Sequence, residues 1–552
     1  MANIAQNYHN NVQLIGINRD PSLKEEATQE VLNNIQIWID PEHFTKLESK
    51  MTTGNVLEAL RLSANNKAPG LDGIPYEVWK SLKDRSDSVQ GTDKKALDII
   101  KVLTMVYNDI ETHGIVKGTN FSESWMCPLY KKNDKSDIAN YRPISLLNSD
   151  YKIFTKALTI KLAKAAPNLI DPAQAGFVPG RHIYDQIWLS KLVINLAEAT
   201  EHNGAIIALD QEKAYDKIEH EYLWRTLDKF GFPMQFINTV KALYSDAHTY
   251  VMVNGEKSPT PFKVIRGIRQ GDPLSCLLFD LAIEPLAKAL HRSTLEGIQI
   301  PGVEKRLIAT LFADDTTTYL SHNDNFGDLV KILDKWCMAS GAKFNISKTK
   351  IIPIGTEEHR QKVSENRYLN GVDGTPIPDH IKIAKDGEAI RSLGAMIGNK
   401  VNPISPWSRI LEKIDTSLEI WDKGHPTIEG RRLIILMVVG GMTQYLTKVQ
   451  GMPKEIEEKL ERRIRAFLWD DKTHLAINKE TLMIPIEEDG RKLLDILSCN
   501  EAITITWLKL YLNLDENRPT WAYVADAIMA KHTPASEENV DERARINVFL
   551  QS

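Results

Sequence analysis

Cysteine, net charge and long apolar runs are the three things this 552-residue sequence has little of. Cys127, Cys276, Cys337 and Cys499 stand alone, with no Cys-x-x-Cys pair and no spaced histidine partner. That excludes a disulfide framework and a zinc site as organising devices, and makes a reducing, intracellular compartment the default. The formal net charge is only −5, so any nucleic-acid binding must come from a basic groove and not from the chain as a whole. The opening, Met1 to Asn7, is polar and lacks the apolar core of a secretory signal. The apolar run Leu433 to Val439 lies between Arg431-Arg432 and Gly440-Gly441 and is far short of the ~20 residues that span a bilayer. These absences describe a soluble protein of the nucleus or cytoplasm, with no membrane partner. Nothing in them fixes an oligomeric state. With 42% hydrophobic and 26% charged residues, a chain of this length should bury large cores and divide into several lobes.

What is present centres on residues 311–320, LFADDTTTYL. An apolar, β-branched run (residues 307–312) meets two adjacent acids, Asp314 and Asp315, and a second β-forming run comes at once after them. The pattern predicts two antiparallel strands with the acidic pair at the turn. Neighbouring carboxylates repel, so a plain hairpin tip would more often carry Asn-Gly or Asp-Gly. A divalent cation reverses that cost.

Taken in order, residues 1–55 are polar, carry little pattern and read as a connector. A turn-dense loop, Asn66 to Pro75, closes a helical segment. Next comes a strand, a basic loop containing Lys131 and Lys132, and a strand holding Arg142. Such a hairpin is either a solvated edge that resists aggregation or a flap whose lysines and arginine close on a triphosphate. Another Gly/Pro loop, Gln174 to Arg181, precedes a helix with Ile187, Leu189, Val193 and Leu196 on its apolar side. A buried strand, Ala205 to Leu209, then ends at Asp210, and the chain turns into a helix past Tyr215 and Asp216. Asp210 is an N-cap in one reading and a third site carboxylate in the other; Asp216 reads as structural. Residues 266–275, a glycine-bearing loop with Gln270 and Gly271, enter a long apolar helix where phosphate or base contacts are natural. Phe344 to Lys350 reads as the start of a further strand. Beyond Trp407 the periodicity is helical, and the charges of Glu455 to Trp469 fit a solvated helix face better than a nucleic-acid stripe.

If the strands ending at Asp210 and at the acidic turn are neighbours in one sheet, Asp210, Asp314 and Asp315 converge on a patch able to hold two Mg²⁺ ions about 3.5–4 Å apart. Two such ions suit nucleotidyl transfer. Lys131, Lys132 and Arg142 would then close over a triphosphate, Tyr215 would lie beneath the sugar where a 2′-hydroxyl would clash, and Gln270 and Gly271 would face the nascent base pair.

In this order the blocks NKAPGLDGIP (66–75), YRPISLL (141–147), QAGFVPGR (174–181), LDQEKAYD (209–216), RQGDPLS (269–275) and FADD (312–315), extended by FNISKT (344–349) and LGAMIG (393–398), resemble the reverse transcriptases of non-LTR, LINE-type retrotransposons from about residue 55 to about residue 500. The resemblance implies an α+β right-hand polymerase with fingers (56–204), a palm with an antiparallel sheet (205–400) and a helical thumb (401–470). It implies an RNA template, a DNA primer, dNTPs and two Mg²⁺ ions, with Mn²⁺ as a substitute. By matching position it makes Asp210, Asp314 and Asp315 metal ligands and Tyr215 a sugar gate. It also suggests Lys348 as the proton donor to pyrophosphate. Two departures stand out: Cys276 replaces a common proline, and Glu488-Asp489-Gly490-Arg491 falls where a double glycine is frequent. The polar segment before residue 55 is too short for the endonuclease domain many such elements carry. The chain therefore reads as the polymerase portion of a longer element, with 471–552 its C-terminal remnant. The competing reading from another class is a catalytically idle or domesticated RNA-binding remnant; an intron-encoded maturase would need a recognisable maturase segment after the thumb, and none is identified.

Overall fold

The computed structural model describes residues 1–14, 20–89, 96–370, 374–469 and 477–532. Among them the strands are β1 (Ser124–Tyr130), β2 (Tyr141–Leu147), β3 (Gly204–Leu209), β4 (His248–Val253), β5 (Glu256–Lys257), β6 (Phe262–Lys263), β7 (Ala309–Phe312), β8 (Asp315–Ser321), β9 (Lys350–Ile354), β10 (Lys382–Ile383), β11 (Ile390–Ser392) and β12 (Ala395–Ile397). Helices and sheets are mixed, as an α+β chain requires.

The central sheet runs β10-β9-β3-β8-β7. Strand β3 is its middle because it is apolar on both faces, which only a doubly covered strand tolerates. Ala205, Ile207 and Leu209 point into the main core with the helix Ser275–His291. Ile206 points the other way and packs with Tyr319, Ile352 and Ile354 against Leu189, Val193 and Ile194 of the helix Ile183–Thr200. The period of two in β3 therefore builds two cores at once. The β7–β8 hairpin predicted from the acidic stretch is present, antiparallel and closed by two residues.

A second sheet carries the basic hairpin. Its order is β2-β1-β4-β5, with β6 also paired to β4, and β1 and β2 run antiparallel out to Tyr130 and Tyr141. The turn joining β4 to β5 is Asn254-Gly255, both in the left-handed region at φ 53° and 84°, as a two-residue hairpin favours.

Residues 1–55 are not a bare connector. They form the helices Ala2–Leu14, Pro21–Leu32 and Pro41–Glu48, and Val31, Leu32, Ile35 and Leu47 enter the main core. Asp20 and Asp40 cap the second and third helices, each followed by proline at the first helical position. These paired start signals are in the sequence and outweigh the polar composition. The strand expected from Phe344 begins only at Lys350, because Ile346–Lys348 forms a 3₁₀ turn.

A third core lies in the helices Ser405–Asp422, Ile428–Gln450 and Lys454–Trp469, where Trp407, Ile414, Ile435, Val439, Leu460 and Ile464 are buried. The helix Ile428–Gln450 is, among the described residues, the one long and apolar enough to cross a membrane. It runs well past the apolar stretch visible in sequence, through a π-helical turn at Leu436–Gly440. Half of that apolar window is packed inside the fold. Asp489 adopts φ 63°, a conformation aspartate tolerates. Within 471–552, the helices Ile496–Tyr511 and Thr520–His532 are described, while 471–476 and 533–552 lie outside the described residues.

The helical unit is pinned to the sheet by aromatic groups around Lys448. The indoles of Trp188 and Trp507 both donate to its carbonyl, at 3.0 and 3.2 Å, and its ammonium lies 3.6 Å from the Tyr184 ring centroid. Trp507 also meets Trp188 and Trp521 edge-on, and the Trp521 indole donates to Asp185. Removing the packed indole in Trp507→Ala should cost about 3 kcal/mol. Its expected signature is a lower melting temperature with early proteolytic cleavage between residues 400 and 520; unchanged melting and cleavage would show that the two units are held elsewhere.

Candidate active site

The sheet register decides where the acids fall. Leu209 of β3 pairs with Thr316 of β8, so Asp210 and Asp315 leave facing strand ends next to each other. Asp314 precedes Asp315 in the turn, after Ala313 at φ 53°. On the other side of β3, the Asn345 amide donates to the Asp210 carbonyl at 2.6 Å, and the adjoining 3₁₀ turn sets Lys348 Nζ 3.0 Å from Asp210 Oδ2. The residues singled out as carboxylate ligands and the lysine named with them thus meet at one end of the central sheet.

Their electrostatics are coupled. Burial in the cleft and the Asp210 charge raise the Asp314 carboxyl above its usual range, with Lys131 and Arg142 opposing. The crowded cleft wall, then Asp314 and Asp210, push Asp315 up to about 6, although its side chain still reaches solvent. Lys131 is lowered, first by partial burial and then by the positive charges of Arg142 and Lys132. The basic hairpin therefore faces the acids: Arg142 lies opposite Leu129 near the tip, Lys131 is anchored by its amide to the Asn140 carbonyl at 3.0 Å, and Lys132 is exposed beside it.

The donor set is all carboxylate oxygen, the chemistry of Mg²⁺ and Mn²⁺. Among the described residues no three acidic, histidine or cysteine side chains stand at metal-ligand closeness. Mutual repulsion keeps carboxylates apart until a cation bridges them, and the Lys348 ammonium takes one Asp210 oxygen. Charge and placement fit a divalent ion; the closed ligand set is not formed.

Tyr215 sits in the short helix Ala214–Lys217 and stacks flat on Phe279, with centroids 4.6 Å apart and planes 9° apart. Burial holds its phenol well above the ordinary value. Its backbone is equally constrained. The Ile268 amide donates to the Tyr215 carbonyl at 2.7 Å, and a Cβ on Gly267, at φ 77°, would lie 2.6 Å from that oxygen. Gln270 and Gly271 rest on the basic hairpin and make no direct contact with the acids: the Ser145 amide donates to the Gln270 carbonyl at 2.7 Å, and Gly271, at φ 114°, leaves no room for a Cβ against the Ser145 carbonyl. Asp216 stands in the first turn of that same short helix, half-buried near Lys213, Lys217 and Arg266, with its carboxyl pushed up to about 6, first by desolvation.

Sequence reasoning passes over the arginines that fix this loop. Arg269 is buried, donates to the Ser122 carbonyl and the Tyr151 hydroxyl, and lies over the Tyr151 and Tyr244 rings. Arg266 donates to the carbonyls of Lys217 and Gly341. Their signal is an arginine pair flanking Gly267 in a loop, which reads as readily as a surface charge.

A model of the family described as reverse transcriptase (RNA-dependent DNA polymerase) matches residues 130–371, a span that holds every candidate site residue. Over 512 residues, 92% of this chain, the sequence is 29% identical to a transposon TX1 uncharacterized 149 kDa protein of Xenopus laevis. Over 319 residues, 56% of the chain, it is 25% identical to a retrovirus-related Pol polyprotein from a type-1 retrotransposable element R2 of Bradysia coprophila. Over 339 residues, 59% of the chain, it is 25% identical to a probable RNA-directed DNA polymerase from transposon X-element of Drosophila melanogaster. The matched part spans about a third of these relatives, 36%, 33% and 33% respectively. On these matches the chain carries a reverse transcriptase (RNA-dependent DNA polymerase) domain of the non-LTR retrotransposon type.

Proposed function

We propose that this chain copies RNA into DNA, extending the 3′-hydroxyl of a DNA primer on an RNA template with dNTPs, inside the cell. One observation carries the reading: Asp210 and Asp315 leave paired strands side by side with Asp314 one peptide away, and a basic hairpin faces them. Asp210, Asp314 and Asp315 would hold two Mg²⁺ ions, for which Mn²⁺ can substitute. When bound, such ions lower the pKa of the primer hydroxyl and offset the charge of the triphosphate and the leaving pyrophosphate.

The remaining work falls to the chain's own side chains. Lys131, Lys132 and Arg142 hold triphosphate oxygens, the lysines as point charges and the arginine as a fork. Tyr215, braced by Phe279, closes the space a 2′-hydroxyl would need. Gln270 and Gly271 wall the nascent base pair through their seat on β2. Lys348 gives a proton to the departing pyrophosphate once its ammonium leaves Asp210. In this reading residues 56–204 act as fingers, 205–400 as palm and 401–470 as thumb.

Oligo(dT)-primed extension on poly(rA), with and without Mg²⁺, tests the reading directly. Asp314→Asn should abolish extension while leaving the melting temperature near that of the parent; retained synthesis would remove the carboxylates from the chemistry, and no synthesis by the parent chain would favour a silent RNA-binding remnant. Tyr215→Ala should raise ribonucleotide incorporation, measured as the ratio of rNTP to dNTP kcat/KM, and an unmoved ratio would end the gate assignment.

The pH dependence has a definite sign. Ligands must be deprotonated, so Mn²⁺ binding should weaken as pH falls through about 6, where Asp315 takes up its proton. In the free protein the folded state binds that proton more tightly than the unfolded chain, whose aspartates titrate near 3.9. Stability from this group is therefore lost as pH rises from about 4 toward about 6. Asp315→Asn should melt no lower than the parent at neutral pH while losing Mn²⁺ affinity; a clear drop in melting temperature there would contradict the repulsion described.

A further inference from the structure

The block QAGFVPGR has no part in the chemistry so far, yet it packs directly on the acidic turn. Gln174 is wholly buried, at 0% exposure. Its Oε1 accepts from the amides of Gly176 at 2.7 Å and Ala313 at 2.9 Å, and its Nε2 donates to the Ala313 carbonyl at 3.4 Å. One carboxamide thus grips both backbone polar groups of Ala313, which holds φ 53° in this turn without being glycine. Left-handed backbone at a non-glycine residue costs on the order of 1 kcal/mol and persists only where its surroundings fix it.

The neighbouring contacts share that purpose. The Ala175 amide donates to the Leu311 carbonyl and the Leu311 amide to the Ala173 carbonyl, both at 2.8 Å, so the loop adds a short parallel bridge to β7. Gly176 comes so near that a Cβ would lie 2.3 Å from the Ala313 amide nitrogen. Arg181 fastens the loop from behind, donating to the carbonyls of Gln174 and Ile170. On the opposite side Gln211, 5% exposed and next to Asp210, donates from Nε2 to the Asp314 carbonyl at 3.3 Å. Two buried glutamines therefore hold successive peptides of the turn from two directions.

We propose that Gln174 is a positioning residue: by clamping Ala313 it sets where Asp314 stands relative to Asp210, with Gln211 fixing the same spacing from the β3 side. Its expected consequence for synthesis rests on the polymerase reading above; the clamp itself does not. Gln174 touches no substrate. It works through the backbone of the turn, as outer-shell groups orient a ligand.

The experiment uses the full chain and two readouts. Hydrogen exchange of the peptide covering 309–321 reports the clamp without catalysis, and Mg²⁺ titration of primer extension reports its effect on the site. In Gln174→Met, which keeps the bulk and loses the strong acceptor, the hairpin amides should exchange faster. The Mg²⁺ concentration for half-maximal extension should rise about 10-fold, within the range seen for outer-shell changes, with dNTP KM little altered. Gln174→Glu, which retains an oxygen for both amides, should recover more of the protection than Met does. Hairpin exchange unchanged in Gln174→Met would overturn the clamp whether or not the chain synthesises DNA. Faster exchange throughout the protein, with Mg²⁺ response as in the parent, would reduce Gln174 to a general packing residue and equally overturn it. A parent chain without synthesis counts against the polymerase reading alone, since the exchange comparison still decides the clamp.

Discussion

Like charges held at neighbouring strand ends are the constraint on which this fold turns. Asp210, Asp314 and Asp315 repel, and burial raises the cost of keeping two of them ionised. A sheet end built of flexible loops would let them drift apart. Here β3 is covered on both faces and paired on both edges, so its last residue has little freedom, and the hairpin beside it is gripped by side chains from two other segments. The rigidity surrounding the acids is what keeps their repulsion from being relieved by movement.

The same logic explains why so many main-chain contacts converge on two glycines. Gly267 lets the loop before the long apolar helix lie against the Tyr215 carbonyl, and Gly271 lets it lie against Ser145. Tyr215 and the basic hairpin are consequently registered to one short loop, which Arg266 and Arg269 tie down with buried guanidiniums. Hydrogen bonds from buried guanidiniums to carbonyls fix the geometry of the loop.

Sequence makes the acidic hairpin, the Asp210 strand and the basic flap legible, because each has a local signature: alternation broken by adjacent acids, an apolar strand ending in an acid, lysines between two β runs. It also reveals the amphipathic helix Phe326–Ser340, bounded by the Asn325 cap and Gly341, and the helix Lys454–Trp469, where apolar period and early acids agree. Hidden from it is whatever depends on partners far along the chain. Gln174 and Gln211 look like ordinary polar loop residues until β7 and β8 are placed beside them. The strand expected at Phe344 gives way to a 3₁₀ turn because Asn345 must meet the Asp210 carbonyl, a long-range demand that propensity does not carry. The opening 55 residues mislead for a different reason: their two Asp-Pro start signals are present, but a polar composition masks them.

The first helix reaches further into the molecule than its position in the chain suggests. Gln13 Oε1 accepts the amides of both Ile265 and Arg266, and Gln13 lines a small cavity with Gly267, Arg269 and Gln270. His9 stacks on Phe262, and Tyr8 meets the Lys213 ammonium. Trimming the thirteen residues of this helix would uncap two amides just ahead of Gly267 and remove part of the cavity wall beside Gln270. A recombinant boundary drawn at the first recognisable block would therefore cut away part of the scaffold of the loop that runs from Ile265 to Ser275.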